Sequence, residues 1–158
     1  MNRWLTVGCV GLLFACASMS GLGEETGAVT SRTALAVGQE ASSSVLDGVF
    51  TSAQARRGGE LYNQSCVSCH GPDFKGDEMA PSIAGNDFLV FWTEVPVGML
   101  FDRIRTTMPA DAPGQLSDEE YTDVLAYLLD ASSYPSGESE LPADKAALDH
   151  IMIVAPAE

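Results

Sequence analysis

The hydrophobic and polar positions of the chain follow a helical period in several stretches, and no alternating strand pattern stands out. The clearest stretch follows Ser117-Asp118-Glu119-Glu120, a capping box whose acidic residues suit the positive end of a helix. Its apolar positions fall at i, i+3, i+4 and i+7, on Tyr121, Val124, Leu125 and Leu128. The pattern predicts a helix that runs to about Ala131 and packs through one face.

Two earlier stretches also predict helices. Thr51-Ser52-Ala53-Gln54 has the form of a capping box, and the residues 53–65 after it suit a helix. Pro96 sits well at a first helical position, so a further helix is expected over 97–106. Its apolar residues on one side are expected to line a crevice or to pack the core; they are Met99, Leu100 and Ile104. The fold class is therefore predicted to be all-α.

Gly58 and Gly59 interrupt the first predicted helix. Each glycine costs a helix about 1 kcal/mol relative to alanine. We expect close approach of another helix to compensate for that cost. The alternative is a helix that begins only after Gly59.

Proline and glycine mark the irregular segments. Residues 71–85 contain Pro72, Gly76 and Pro81 and are expected to form a loop, followed by a short helical turn over 87–92. Breaks are also expected at 108–109 and 113–114, and beyond Pro135 only a weak helical stretch over 143–151 remains. The predicted organisation is a signal peptide at 1–17, a flexible linker at 18–47, one folded domain at 48–134 and a C-terminal tail at 135–158 that packs on the domain.

The N-terminus has the pattern of an export signal. Arg3 precedes the uncharged apolar run 4–17, which is shorter than the roughly 20 residues needed to span a bilayer. Small residues at Ala15-Cys16-Ala17 favour cleavage after Ala17, and the protein is then periplasmic or otherwise exported from a bacterium. The alternative is a lipobox at 13–16, which would attach the protein to a membrane through Cys16. Cleavage after Ala17 leaves Cys66 and Cys69 as the remaining cysteines.

The formal net charge of −14 over 158 residues bears on the choice of partners. A chain this acidic repels phosphate backbones and anionic membrane surfaces, so nucleic acid is excluded as a partner and a membrane is expected only if Cys16 is lipidated. The charge favours a partner with a positive docking patch. The alternative is that acidity simply keeps the protein soluble.

The chemistry of the chain is concentrated in Cys66-Val67-Ser68-Cys69-His70. Two thiols three positions apart can each add to one vinyl group of a haem, and the histidine that follows can then ligate the iron. A zinc site usually has four protein ligands, and no second cysteine pair is present. A thioredoxin-like dithiol would need βαβ surroundings, which the pattern does not predict.

Over 48–132 the sequence resembles the class I c-type cytochromes. The matching segments occur in order: Ala55 to Tyr62, Cys66 to Gly71, Ala80 to Gly85, Met108-Pro109 and Leu116 to Leu129. The resemblance implies three to five helices around one covalent haem c, with thioethers at Cys66 and Cys69 and iron ligated by His70. Within this class the overall pattern is similar to small cytochromes associated with quinoprotein dehydrogenases.

The sixth iron ligand has several candidates: Met79, Met99, Met108, Met152 and His150. Met108 follows a predicted helix and lies 38 residues after His70, which is enough chain to reach the opposite haem face. In the family the distal methionine occupies this Met-Pro setting, so the resemblance favours Met108. A thioether opposite an imidazole favours reduced iron.

The resemblance also assigns supporting residues. Pro81 resembles the family proline whose carbonyl accepts a hydrogen bond from the ligand histidine. Trp92, Arg103 and Arg105 are candidates for contacts with the haem propionates, and Arg105 is the better of the two arginines because it lies closer to Met108. The alternatives are an ordinary loop proline and surface arginines. Gly59 and Tyr62 resemble positions where the first helix packs on the last, opposite Tyr127 or Tyr121.

Two filled axial positions leave no open site for substrate, so the expected function is single-electron transfer between periplasmic redox proteins and not catalysis. A quinoprotein dehydrogenase or a terminal oxidase is a candidate partner. The alternatives are a haem subunit fixed in a periplasmic dehydrogenase or respiratory complex, and a haem-based gas sensor.

Overall fold

A computed structural model describes residues 43–78 and 80–156, which form a mainly helical domain. The expected signal peptide, Cys16, most of the expected linker and Met79 lie outside the described residues. In chain order the elements are β1 (Ser43–Ser44), a 3-10 turn (Val45–Asp47), α1 (Ser52–Ser65), α2 (Val67–His70), α3 (Gly85–Trp92), α4 (Val97–Thr107), α5 (Asp118–Ala131), α6 (Lys145–Leu148) and β2 (Ile151–Met152). Within this part of the chain, no helix is long and apolar enough to cross a membrane.

The packing of α1 against α5 is the main helix–helix contact of the domain. Gly58 is the residue that allows it, because a β-carbon built there would overlap the main-chain carbonyl of Asp123 on α5. Gly59 instead lies under the ring of Tyr127, with its hypothetical β-carbon 3.2 Å from the ring edge. The two helices therefore meet backbone to backbone at Gly58, and α1 runs unbroken through both glycines.

The two expected capping boxes differ in the structure. Ser117 and Glu120 form the reciprocal pair at the start of α5, with Ser117 N–H donating to Glu120 Oε2 at 2.8 Å and Glu120 N–H donating to Ser117 Oγ at 3.2 Å. At the start of α1 only half of the box exists: Thr51 Oγ1 accepts from Gln54 N–H at 3.0 Å. The Gln54 side chain turns inward and is 2% exposed.

The C-terminal segment after Tyr134 is held by α1. Gln54 Nε2 donates to the carbonyl of Leu141 at 3.1 Å, and Leu141 N–H donates to Gln54 Oε1 at 2.8 Å. Arg57 bridges Asp123 on α5, at 2.8 Å, and Glu140 in the segment, at 3.0 Å. The apolar side chains that the segment contributes are buried in the main core; they are Leu141, Leu148, Ile151 and Ile153.

The two chain ends of the domain meet in a short parallel ladder. β1 pairs with β2 in the register Ser43↔Ile151 and Ser44↔Met152, and Met152 also forms an antiparallel bridge with Pro96. The side chain of Val45, in the turn after β1, is fully buried. The folded domain thus includes residues 43–47, which the sequence assigns to the linker, because Val45 fills a place in the core.

The inward face of α4 consists of Val97, Leu100 and Phe101, all buried, with Ile104 partly buried beside them. Met99 points away from this face and is 56% exposed. The expectation that Met99 packs the core is therefore wrong, whereas Leu100 and Ile104 do pack there, since adjacent residues of a helix lie on different faces.

Candidate functional site

The Cys66-to-His70 motif forms a separate helical turn at the end of α1. Cys66 N–H donates to the carbonyl of Tyr62 at 2.9 Å and so completes the last turn of α1. The carbonyl of Cys66 then accepts from His70 N–H at 3.0 Å, which closes α2. The chain changes direction at Cys66, so the two thiols lie at the start and near the end of one short turn, with His70 directly after the second.

The two cysteines are free thiols in different surroundings. Cys69 is exposed, whereas Cys66 is half-buried and packs against the cluster of Tyr62, Val124 and Leu128. Burial, together with the nearby Cys69, raises the pKa of the Cys66 thiol to about 11. A redox-active dithiol has the opposite property, because its nucleophilic cysteine needs a lowered pKa. Cys66 is therefore a poor nucleophile for thiol–disulfide exchange at neutral pH.

The imidazole of His70 is buried, at 8% exposure, and its Nδ1 lies 3.1 Å from the carbonyl oxygen of Pro81. Since a carbonyl oxygen only accepts, Nδ1 must carry the proton in this hydrogen bond, and the lone pair is then on Nε2. A bond of this kind fixes the orientation of a ligand imidazole and raises its basicity. His70 is thus prepared to bind a metal through Nε2.

Main-chain hydrogen bonds hold the loop that carries Pro81 against the Cys66-to-His70 turn. Gly76 N–H donates to the carbonyl of His70 at 2.9 Å, and Asp77 N–H donates to that of Ala80 at 2.9 Å. Gly76 has φ +69°, and a β-carbon there would overlap the Ala80 carbonyl, so glycine is required. These bonds keep the Pro81 carbonyl at the Nδ1 edge of the His70 ring.

Met108 stands at the C-terminal end of α4 with an extended backbone, φ −126° and ψ 151°. Its N–H donates to the carbonyl of Ile104 at 2.9 Å, and its carbonyl accepts from the Tyr121 hydroxyl at 2.6 Å. The bond from Met108 to Pro109 is cis. The methionine is half-buried and its backbone is held from both sides.

Arg105 and Trp92 occupy different surroundings. The guanidinium of Arg105 lies 3.4 Å from Asp102 Oδ1 and 3.4 Å from Asp118 Oδ1, while its buried Nε has no hydrogen-bond partner. Trp92 stacks on Phe88, with ring centroids 6.4 Å apart, and packs against the main core. Arg103 is exposed on the same helix as Arg105.

Residues 53–128 match the family model described as cytochrome c oxidase, cbb3-type, subunit III. The matched segment includes the Cys66-to-His70 motif, Pro81 and Met108. This segment is a class I c-type cytochrome domain. The family implies a bound haem with iron and a haem-based role in electron transfer. Neither the curated proteins nor the solved structures include a match to the chain.

The side chains of the cytochrome domain fit a haem. Two free thiols flank one turn, a buried imidazole has its Nε2 lone pair available, and the orphaned Arg105 Nε is a donor suited to a carboxylate such as a propionate. In the described part of the chain, no three His, Cys, Asp or Glu side chains come together as a group that could hold a metal ion. His150, a candidate ligand from the sequence, is exposed in the turn before β2.

Sequence reasoning missed one residue of the site. It placed Tyr121 or Tyr127 opposite the first helix, and the structure separates them: Tyr127 contacts Gly59 and the Tyr62 ring, whereas Tyr121 contacts the Met108 loop. The two tyrosines are six positions apart on α5 and therefore point to different sides of it. That spacing was the available signal.

Proposed function

We propose that this protein is an exported monohaem cytochrome c that passes single electrons between redox proteins, with iron ligated by His70 and Met108 and haem attached through Cys66 and Cys69. The observation that carries the proposal is the hydrogen bond between His70 Nδ1 and the Pro81 carbonyl, beside two free thiols. It fixes the imidazole of His70 with the Nε2 lone pair available to a metal.

Each residue of the proposed site has a separate task. The thiols of Cys66 and Cys69 add to the two vinyl groups and keep the cofactor bound outside the cytoplasm. Pro81 holds the His70 ring in place, and Met108 supplies a soft thioether from the end of α4. Arg105 and Trp92 are the residues proposed to contact the propionates. The haem iron supplies the one-electron couple, which a thioether opposite an imidazole shifts towards the reduced form.

The surface charge supports protein partners of the opposite sign. The whole chain has a formal charge of −14, and a summed charge of this size steers encounter with a positive docking patch. A quinoprotein dehydrogenase as electron donor or a terminal oxidase as acceptor meets this description if its docking face is basic. The periplasm is the proposed location, in line with the export signal expected at 1–17.

A second candidate is a haem subunit fixed in a larger respiratory complex. The description of the matched family, a subunit of a cytochrome c oxidase, is the observation that favours it. A free carrier leaves the native periplasm as a soluble protein, whereas a fixed subunit co-purifies with the complex through size exclusion. Lipid on Cys16, detected as added mass, would also favour the fixed subunit.

The decisive experiment is expression of the full chain in a host that matures c-type cytochromes. A pyridine haemochrome spectrum should report two thioether bonds and one haem per chain. Cys66→Ser and Cys69→Ser should each remove one thioether, and His70→Ala should prevent normal ligation. A colourless mature protein with two free thiols would refute the proposal.

The sixth ligand has its own test. Met108→Ala should abolish the sulfur-to-iron charge-transfer band near the red end of the oxidised spectrum and admit carbon monoxide to the reduced protein. Met99→Ala is the matched control, because Met99 lies on the same helix and is 56% exposed. If the band survives in Met108→Ala, another ligand is present. Rapid, complete carbon monoxide binding to the wild type would indicate a gas sensor.

A further inference from the structure

Tyr121 connects the rigid helix α5 to the loop that carries Met108. Its side chain is 2% exposed, and its hydroxyl makes two hydrogen bonds to main chain. The hydroxyl donates to the carbonyl of Met108 at 2.6 Å and accepts from Gly114 N–H at 3.1 Å. One phenol oxygen therefore binds the loop over 108–116 near both of its ends.

The bond to the Met108 carbonyl completes the restraint on this residue. Its N–H is already bonded to the carbonyl of Ile104, in the last turn of α4. Pro109, the next residue, has no N–H to contribute. With both peptide groups of Met108 held, the direction in which its side chain leaves the backbone is fixed by α4 on one side and by Tyr121 on the other.

The helix that carries Tyr121 is itself well anchored. The capping box of Ser117 and Glu120 fixes the start of α5, in the turn directly before Tyr121. The close contact of Gly58 with Asp123 fixes it against α1, and most of its residues are buried. Tyr121 therefore fixes the loop over 108–116 relative to the packed pair of α1 and α5.

We propose that Tyr121 is a positioning residue for the sixth iron ligand: its hydroxyl holds the loop over 108–116 so that the Met108 thioether remains on the iron. The inference rests on the proposed function, in which Met108 is that ligand. Tyr121 makes no contact with the reacting atoms in this proposal and acts through the Met108 main chain. Loss of the hydroxyl removes the hydrogen-bond partner of the half-buried Met108 carbonyl and of the Gly114 N–H, which favours the open loop.

The test compares two oxidised, haem-loaded variants, Tyr121→Phe and Tyr134→Phe. Tyr134 is the matched control because it is 3% exposed and its hydroxyl donates to the Val154 carbonyl at 2.8 Å, in the C-terminal segment. Excess imidazole captures the iron whenever Met108 leaves it, so the rate of loss of the charge-transfer band measures loop opening. We expect Tyr121→Phe to raise that rate roughly tenfold, the factor equivalent to about 1.4 kcal/mol. Tyr134→Phe should leave the rate within about twofold of wild type, since its lost hydrogen bond acts elsewhere.

The outcomes distinguish failure of the proposed Met108 ligation from failure of the proposed role of Tyr121. If wild type lacks the charge-transfer band, the proposed ligation by Met108 fails. If wild type has the band and the two variants capture imidazole at equal rates, only the role of Tyr121 is refuted. Amide hydrogen exchange of Gly114 in the wild type is a second measurement, independent of how the variants fold. Although Gly114 is exposed, its amide hydrogen should exchange slowly because it is bonded to the Tyr121 hydroxyl. Unprotected exchange would contradict the proposal.

Discussion

A single β-carbon at Gly58 should destabilise the domain, whereas one at Gly59 should not. In Gly58→Ala the new methyl group meets the carbonyl carbon and oxygen of Asp123 and the nitrogen of Val124, all main-chain atoms of α5. Main chain in a helix cannot rotate away, so α1 and α5 must separate. Overpacking costs typically 1–3 kcal/mol, and about 1 kcal/mol is regained because alanine favours a helix over glycine. With the clash at the upper end, we expect a net loss of about 2 kcal/mol in unfolding free energy.

Gly59→Ala is the matched control on the same helix turn. Its β-carbon would lie 3.2 Å from Cε2 of the Tyr127 ring, and a partly exposed ring can shift by a few tenths of an ångström. The helix-propensity gain then dominates, so this variant should be unchanged or up to about 1 kcal/mol more stable. Guanidinium unfolding of the oxidised protein, followed by far-ultraviolet circular dichroism and by haem absorbance, gives both values. Equal stability of the two variants would refute backbone contact as the reason for Gly58.

Two further predictions concern the C-terminal segment. Gln54→Leu removes both side-chain hydrogen bonds to the segment and leaves the main-chain groups of Leu141 unpaired, so we expect the unfolding free energy measured with denaturant to fall by about 2–3 kcal/mol. Gln64→Leu, at an exposed position on the same helix, should change it by less than about 0.5 kcal/mol. Equal losses in the two variants would contradict the role of Gln54 in holding the segment. The Arg57 guanidinium lowers the pKa of Glu140 below its ordinary 4.5, so the carboxylate stabilises the fold above that value and the contribution disappears as pH falls through the lowered pKa. Glu140→Gln should therefore be less stable than wild type at pH 7, and the difference should shrink as pH falls through the lowered pKa of Glu140, with the exposed Glu138→Gln as control; a difference independent of pH would exclude this linkage.

The parts of the fold that sequence predicted are those that local interactions determine. The reciprocal capping box of α5 joins residues three apart, its apolar face repeats every three or four residues, and the helix begins and ends where the pattern places it. The all-α class and the c-type cytochrome family are likewise confirmed. The roles of Cys66, Cys69, His70 and Met108 stay predictions, and the hydrogen bond from His70 to Pro81 supports one of them.

Other features depend on partners far along the chain and left no local signal. Gln54 has the same spacing from Thr51 as Glu120 has from Ser117, yet its amide bonds to Leu141, 87 residues away. The strands β1 and β2 have two residues each, too few to show a period of two. Tyr121 fits an apolar helix face equally well whether its hydroxyl is bonded or not.

The matched segment 53–128 is shorter than the folding unit. Val45 and Phe50 precede it, Tyr134 and Leu148 follow it, and all four are at most 3% exposed in the same core as residues of α4 and α5. The clamp of Arg57 and Gln54 joins α1 to the C-terminal segment, and the pairing of β1 with β2 joins the two ends. Since α1 also ends in the Cys66-to-His70 turn, the segment outside the family match stabilises the helix that positions the proposed haem attachment site.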